Sequence, residues 1–139
     1  MFFNEDHTMR ALIVDDEAVP RMIITEYMHD YGICISASHG AEALELYESQ
    51  LKNGQPFDIV FIDIQMPEMD GQEVLQKIRQ IEKLHKSPVA RSTAILMITA
   101  LGDSKNVLKA FRHQCDGYLV KPIKKEKFTG KLKELNLIP

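Results

Sequence analysis

A regular alternation of short apolar runs with segments of helical periodicity limits the fold more than any other feature of this 139-residue sequence. The apolar runs occupy positions 11–14, 33–35, 59–62, 94–98 and 118–120. Between them and after the last, apolar residues recur every three or four positions, which is typical of amphipathic helices. Strands that alternate with helices form a parallel sheet covered on both faces. The sequence therefore predicts a single α/β domain.

Five helices are predicted from apolar stripes at helical spacing. Their members are Val19, Met22, Ile23, Tyr27 and Tyr31; Ala43, Leu44, Tyr47 and Leu51; Val74, Leu75, Ile78 and Ile81; Val107, Leu108 and Phe111; and Phe128, Leu132 and Leu135. Gly32 is predicted to end the first helix, and Gly130 should weaken the last by about 1 kcal/mol relative to alanine. The connection over 82–93 is the longest without a predicted element.

The predicted topology also indicates where a functional site should lie. Right-handed crossovers leave few arrangements for such a chain, and the commonest is a doubly wound sheet. In sheets of this kind, ligands bind beyond the carboxyl ends of the strands, where the strand order reverses. The residues that follow strands one, three, four and five are therefore expected to converge.

Those strand ends carry Asp15 and Asp16, Asp63, Thr99 and Lys121. Three carboxylates held together repel one another and raise each other's pKa unless a cation lies between them. A cluster of oxygen ligands without cysteine or histidine favours a hard divalent ion such as Mg²⁺. We therefore expect a magnesium site in which Asp16 binds the metal directly and Asp15 binds it directly or through water.

The same residues suit the transfer of a phosphoryl group to a carboxylate. A carboxylate can attack phosphorus and hold the group as an acyl phosphate, provided that cations neutralise the developing charge. Asp63 is the expected nucleophile because it ends the central third strand. Lys121 is expected to pair with this carboxylate and later with phosphoryl oxygens, and Thr99 to donate its hydroxyl to one of those oxygens.

Four segments together resemble the receiver domain of two-component response regulators: LIVDDE at 12–17, FIDIQMPEMDG at 61–71, ITA at 98–100 and KP at 121–122. The resemblance implies a flavodoxin-like fold with five strands in the order 2-1-3-4-5 and five helices. It places the receiver domain over 9–136, after an N-terminal extension over 1–8. It also implies a cis peptide bond between Lys121 and Pro122, which proline makes accessible.

The resemblance assigns roles to individual residues. Asp63 would be the phosphoacceptor, with Mg²⁺ or Mn²⁺ held by Asp16, Asp63 and the backbone carbonyl of Gln65, and with Asp15 assisting. Thr99 and Tyr118 would form the switch, in which the threonine hydroxyl moves toward the phosphoryl group and the aromatic side chain turns inward. Gln65 and Leu101 would tune the phosphoryl lifetime, and we expect moderately slow self-dephosphorylation.

The implied function is a signalling switch that accepts its phosphoryl group from a sensor histidine kinase or a histidine phosphotransfer protein. The protein would assist its own phosphorylation and dephosphorylation without being an enzyme with a separate substrate. Output would pass through the fourth helix, fifth strand and fifth helix to a target protein, from a monomer or a phosphorylation-dependent dimer. The sequence leaves open a relay intermediate and a stand-alone, chemotaxis-like regulator.

Composition and charge argue against other classes of partner. The start of the chain lacks the pattern of a signal peptide, and no segment approaches the ~20 apolar residues of a membrane helix. Cys34 and Cys115 lack metal-like or redox-like spacing and are predicted to be buried, reduced thiols. Positions 103–133 hold nine Lys and Arg against three Asp and Glu, which we interpret as a solvated face without nucleic-acid binding. A cytoplasmic location is expected.

Three alternatives use the same pattern of elements. A haloacid-dehalogenase-like phosphatase also needs Asp, Thr, Lys and Mg²⁺, but it resembles Asp-x-Asp on the first strand, whereas the third strand here ends in Asp63-Ile64-Gln65. Flavin binding requires amides that hold a phosphate after strand one, where the acidic residues 15–17 would repel it. A structural adaptor with a silent acidic cluster is the third alternative.

Overall fold

The structure, a computed structural model, describes residues 8–85 and 92–139 and contains one five-stranded parallel sheet in the order β2-β1-β3-β4-β5. The strands are β1 (Met9–Val14), β2 (Gly32–Ala37), β3 (Ile59–Asp63), β4 (Ala94–Thr99) and β5 (Gly117–Val120). The strand order reverses at β1, so the loops after β1 and β3 diverge to opposite faces and leave a crevice at the carboxyl edge. The predicted fold class is confirmed.

Five helices connect and cover the strands. They are α1 (Ala18–Met28), α2 (Gly40–Lys52), α3 (Gly71–His85), α4 (Ser104–Arg112) and α5 (Lys125–Glu134). Gly130 lies inside α5, so the helix forms despite the low helical propensity of this residue. Because each helix follows a strand along the chain, every strand reaches the same edge of the sheet with its carboxyl end.

Two apolar layers hold the helices against the sheet. Alternate residues of the strands point to opposite faces, so β1 contributes Ala11 and Ile13 to one layer and Leu12 and Val14 to the other. The first layer contains residues of α1 and α5: Ile24, Met28, Phe128 and Leu132. The second contains residues of α2, α3 and α4: Ala43, Tyr47, Val74, Leu75, Ile78 and Ala110. The stripes predicted for α2 and α3 are therefore core residues, as expected.

The stripe predicted for α1 is wrong in its members. Val19 and Met22 are 64% and 68% exposed, whereas the buried residues of the helix are Ile24 and Met28. Gly32 does not end this helix, which stops at Met28. A Cβ at position 32 would lie 2.0 Å from the carbonyl oxygen of Met9, so glycine is required there by the close pairing of β1 with β2.

The stripe predicted for α4 is also mostly exposed. Leu108 and Phe111 are 61% and 45% exposed, Val107 is half-buried, and only Ala110 of this helix is buried. The helix itself lies where the spacing predicts it. Helical spacing identifies an apolar face but not whether the fold or a partner covers that face.

Some predictions fall partly outside the described residues. Positions 1–7 of the predicted extension and 86–91 of the uncertain connection lie there, whereas α3 continues to His85 and fills the start of that connection. Cys115 is buried as expected, and Cys34 is only partly buried. Within residues 8–85 and 92–139, no helix has the length and apolar character needed to cross a membrane.

Candidate functional site

The register of the sheet brings the four strand ends to one level. Asp63 pairs with Ile98 on β4, and Thr99 pairs with Val120 on β5. The pairing continues one residue past the strands, since the amide of Lys121 donates to the carbonyl of Thr99 at 2.8 Å. The convergence expected from the sequence is therefore present in the structure.

An acidic cluster forms at this edge. Asp15, Asp16, Glu17 and Asp63 each offer a carboxylate oxygen, and these oxygens all lie within 4.8 Å of one another. Asp15 and Asp63 are 1% and 4% exposed, whereas Asp16 and Glu17 face solvent. Glu17 was not among the predicted ligands, although its place directly after the two aspartates was a signal for it.

The ammonium group of Lys121 lies between the two buried carboxylates. Its Nζ is 3.4 Å from Asp15 Oδ2 and 3.4 Å from Asp63 Oδ2, and it is 4.0 Å from Glu17 Oε1. The peptide bond between Lys121 and Pro122 is cis, as the resemblance implies. Burial acts to lower the pKa of Lys121, but Asp63 and Asp15 together outweigh it and raise the pKa above its usual value. The side chain is therefore cationic at neutral pH.

Asp63 is held from two sides. Its Oδ1 accepts a hydrogen bond from the backbone amide of Gln65 at 3.3 Å, and its Oδ2 faces Lys121. Burial and the charge of Asp15 raise the pKa of Asp63 to about 6, although Lys121 and the Gln65 amide oppose the shift. The two buried carboxylates therefore carry more negative charge than the lysine alone neutralises.

The geometry of Asp15 fits a divalent cation. Its Oδ2 is buried and makes no hydrogen bond to any described residue, even though Lys121 lies nearby. Its Oδ1 accepts from the amide of Glu17 at 2.9 Å, and Arg21 Nη1 donates to its backbone carbonyl at 2.6 Å. A buried carboxylate oxygen normally has a partner. An oxygen-only cluster with one such atom is what Mg²⁺ or Mn²⁺ requires.

The loop after β3 folds back tightly onto Asp63. The amide of Gly71 donates to the carbonyl of Ile64 at 2.8 Å, and Glu68 adopts a positive φ of 67° within this loop. A Cβ at position 71 would lie 2.2 Å from the carbonyl oxygen of Asp63, which is a backbone atom and has little room to move. The glycine at the end of the 61–71 segment is therefore needed to position Asp63.

We expect Gly71→Ala to displace the loop and to lower the free energy of unfolding by about 2–4 kcal/mol, because the clash is with backbone. Urea denaturation measures the change. Gly130→Ala is the matched control, since a Cβ at this exposed helical position meets nothing within 4 Å and should stabilise the protein by about 0.5–1 kcal/mol. Equal stability of the Gly71→Ala variant and the wild type would contradict the assignment.

A small pocket of about 100 Å³ opens beside Asp63, and Thr99, Gln65 and Lys121 are among the residues that line it. Thr99 is buried, and its hydroxyl lies 3.4 Å from the carbonyl of Ala100 and 3.5 Å from Asp103 Oδ2. It makes no described hydrogen bond to Asp63. The pocket therefore leaves space next to the carboxylate, with a lysine on one side and a hydroxyl that can be redirected on the other.

Two predicted residues lie outside this pocket. Leu101 and Tyr118 are 87% and 40% exposed, and they line a neighbouring groove with Lys124, Lys127 and Lys131. The ring of Tyr118 contacts Phe111 edge-on at 6.4 Å and lies 5.9 Å from Lys131 Nζ. Tyr118 is thus turned outward here, and Leu101 does not shield Asp63 in this conformation.

The sequence matches the family model described as the response regulator receiver domain over residues 11–133. The chemotaxis protein CheY of Bacillus subtilis is 34% identical over 120 residues, which cover 85% of this chain and 89% of that protein. Other curated relatives are longer, and the chain spans about half of their length, 54% and 44% in two of them.

Two solved structures are similar to this one throughout. The CheX–CheY–BeF₃–Mg²⁺ complex from Borrelia burgdorferi contains a chain with a TM-score of 0.80 and 28% identity, and the match covers 96% of this chain and 94% of that one. The receiver domain of the response regulator Ssk1 of Saccharomyces cerevisiae, solved with the histidine phosphotransfer protein Ypd1, gives a TM-score of 0.80 at 25% identity, covering 94% and 90%.

Proposed function

This chain belongs to the response regulator receiver domain family of two-component signalling, and we propose that Asp63 is the residue on which it accepts a phosphoryl group. The family match supports the receiver interpretation and not the haloacid-dehalogenase-like phosphatase. Domains of this family act as signalling switches. The observation that carries the proposal is the position of Lys121, whose ammonium group bridges the buried carboxylates of Asp15 and Asp63 at 3.4 Å each.

The proposed step is an in-line transfer from a phosphohistidine. A carboxylate oxygen of Asp63 attacks phosphorus, the P–N bond breaks, and its electron pair returns to the departing imidazole. Lys121 is positioned to neutralise charge on the phosphoryl oxygens, and the amide of Gln65 supports the carboxylate. The protein would thus assist its own phosphorylation, and its later hydrolysis, without a separate substrate.

Asp15, Asp16, Asp63 and the carbonyl of Gln65 are the proposed ligands of Mg²⁺ or Mn²⁺, and Glu17 lies close enough to take part. When bound, the ion supplies positive charge that lets two negatively charged reactants approach. Arg21 and the amide of Glu17 hold the loop that carries Asp15 and Asp16 through the two hydrogen bonds to Asp15. The buried, unpaired Oδ2 of Asp15 supports this assignment.

Thr99 and Tyr118 are the proposed switch. The Thr99 hydroxyl is weakly held at 3.4–3.5 Å in the present conformation, so a phosphoryl group on Asp63 can compete for it. Tyr118 lies one residue from the position that pairs with Met97, on the strand next to Thr99, and its outward side chain has room to turn. Gln65 lines the phosphoryl pocket and remains the better candidate than Leu101 for tuning the lifetime, which we predict to be moderately long.

A sensor histidine kinase or histidine phosphotransfer protein is the proposed donor, and a target protein docked on α4, β5 and α5 is the proposed output. The exposed residues Leu101, Leu108, Phe111 and Tyr118 lie on these elements or next to them. Lys124, Lys127 and Lys131 border the same groove, which favours a target with acidic and apolar side chains. A cytoplasmic location, where Cys34 and Cys115 stay reduced, fits this role.

Intact-mass measurement after incubation with acetyl phosphate tests the proposal. We expect the wild type to gain one phosphoryl group only when Mg²⁺ is present, and Asp63→Asn to gain none. Asp58→Asn is a matched control, because Asp58 precedes β3 at the opposite edge of the sheet and should leave the gain unchanged. A folded wild type that gains no mass from acetyl phosphate or from a phosphorylated phosphotransfer protein would favour a silent adaptor instead.

A further inference from the structure

Helix α4 is held in place with little apolar burial. Among its residues only Ala110 is buried, and the large side chains of Leu108 and Phe111 face solvent. Its N-terminal residue Asp103 makes no side-chain hydrogen bond to a helix amide. Neither a deep apolar face nor an N-cap therefore fixes this helix, and other contacts must determine its position.

Three polar side chains of α3, spaced at four and three residues, reach toward α4 and the segment after it. Gln72 Nε2 donates to the backbone carbonyl of Asn106 at 2.7 Å, in the first turn of α4. Gln76 Nε2 donates to His113 Nε2 at 2.8 Å, just past the end of α4. Arg79 Nε donates to the carbonyl of Gln114 at 2.9 Å. We call Gln72, Gln76 and Arg79 the α3–α4 polar seam.

The first contact of the seam connects to the proposed switch. The side-chain amide of Asn106 donates to both carboxylate oxygens of Asp103, at 2.9 and 3.0 Å. Asp103 Oδ2 is in turn the atom that lies 3.5 Å from the Thr99 hydroxyl. If that hydroxyl moves to a phosphoryl group on Asp63, its contact with Asp103 breaks, and the first turn of α4 loses one of its few connections to β4.

Gln72 is an unexpected residue for this place in a core. It is 4% exposed, and its Oε1 is buried without a hydrogen-bond partner among the described residues. Val74 and Leu75, its neighbours in the same helix, are apolar core residues. A buried amide with one unsatisfied atom destabilises the folded state relative to an apolar side chain of similar size. Its presence is explained if the bond to Asn106 serves the position of α4 and not stability.

We propose that the α3–α4 polar seam, and Gln72 in particular, holds α4 in its unphosphorylated position and thereby sets how readily the switch responds. The proposal rests on the function of Asp63 and Thr99 proposed above. Loss of the Gln72 bond removes an interaction made only in the resting conformation, so the population of the active conformation rises. Gln72 is a positioning residue, because it contacts neither Asp63 nor the acidic cluster.

Gln72→Leu tests the proposal with two readouts. We expect hydrogen exchange of α4 amides in the unphosphorylated protein to become about threefold to tenfold faster, which is the factor expected for the net contribution of one hydrogen bond. We expect the affinity for beryllofluoride with Mg²⁺, a mimic of the phosphoryl group, to rise by a similar factor. The midpoint of urea denaturation should stay the same or rise, because the unsatisfied oxygen is removed.

Lys77→Leu is the matched control, since Lys77 lies in the same helix, pairs only with Glu73 among the described residues and makes no described contact with α4. It should change neither readout, and Gln72→Met should reproduce Gln72→Leu. Unchanged exchange in α4 would overturn the proposal, as would faster exchange without tighter binding in a wild type that binds beryllofluoride. A wild type that binds no beryllofluoride would instead refute the proposed function of the site, while the exchange measurement still reports on the seam.

Discussion

Replacing Asp63 with asparagine is expected to stabilise the metal-free protein by about 1–3 kcal/mol near neutral pH. The pKa of this carboxyl is raised to about 6 from 3.8 in the folded protein, chiefly by burial and then by the charge of Asp15. Each pKa unit corresponds to about 1.36 kcal/mol of stability, and the carboxylate interacts with Lys121 and Asp15 at once, which brings the value below the full shift. The amide keeps the shape of the side chain without the charge.

The sign of the effect depends on pH in a defined way. Because folding raises the pKa of Asp63, its protonated form stabilises the native state below about pH 4, and this stability is lost as the pH rises through about 6. The advantage of Asp63→Asn should therefore be absent near pH 4, grow between pH 4 and 6, and stay constant above about pH 7. Urea denaturation in the presence of a chelator measures both curves.

Added Mg²⁺ should reverse the order of stability. A ligand at 100 times its Kd stabilises the folded state by about 2.7 kcal/mol, and the wild type has the carboxylate that Asp63→Asn lacks. We expect a large gain in stability for the wild type and a small one for the variant. A variant that is less stable than the wild type in chelator at neutral pH would show that Asp63 is not the strained carboxylate inferred from its surroundings.

Replacing Lys121 with methionine is expected to slow phosphorylation by acetyl phosphate by about 100-fold or more. The side chain contributes the one ammonium group within 4.0 Å of Asp63 among the described residues, and removal of a preorganised charge at a transition state typically has an effect of this size. Methionine keeps most of the volume of the lysine stem. The phosphorylation rate, followed by intact mass over time, measures the effect.

A second readout separates loss of charge from loss of structure. Without the ammonium group, Asp15 and Asp63 have no competing cation, so the affinity for Mg²⁺ should stay the same or rise. Lys124→Met is the matched control, because Lys124 is exposed three residues later and should leave both quantities unchanged. Parallel loss of metal affinity and of phosphorylation in Lys121→Met would indicate a disrupted site, contrary to the proposed role.

The sequence predicts the sheet and the site well because both depend on local patterns. Apolar runs specify the strands, and in a parallel sheet the residue after each run reaches the same edge. Asp15, Asp63, Thr99 and Lys121 could therefore be brought together from spacing alone, and the structure places them at one edge. The cis bond before Pro122 came from the resemblance, since neither isomer follows from the residues themselves.

The predictions fail where burial depends on contacts distant in the chain. Val19 and Met22 have the spacing of core residues, but α1 is rotated so that Ile24 and Met28 meet the sheet. Gln72 looks like a surface residue of an amphipathic helix, yet it is buried against α4. Hydrophobic spacing carries no information about such rotations or about polar bonds between helices, because both depend on the neighbouring element.

Chemical mapping of the phosphorylated residue tests the central claim most directly. Borohydride reduces an acyl phosphate to an alcohol, so a phosphorylated aspartate becomes homoserine and can be located by peptide mass spectrometry. After incubation with acetyl phosphate and Mg²⁺, we expect homoserine at position 63 and at neither 15 nor 16. Homoserine at position 15 or 16, or a phosphoryl group on a serine, threonine or histidine with position 63 unmodified, would contradict the assignment of Asp63 as the phosphoacceptor.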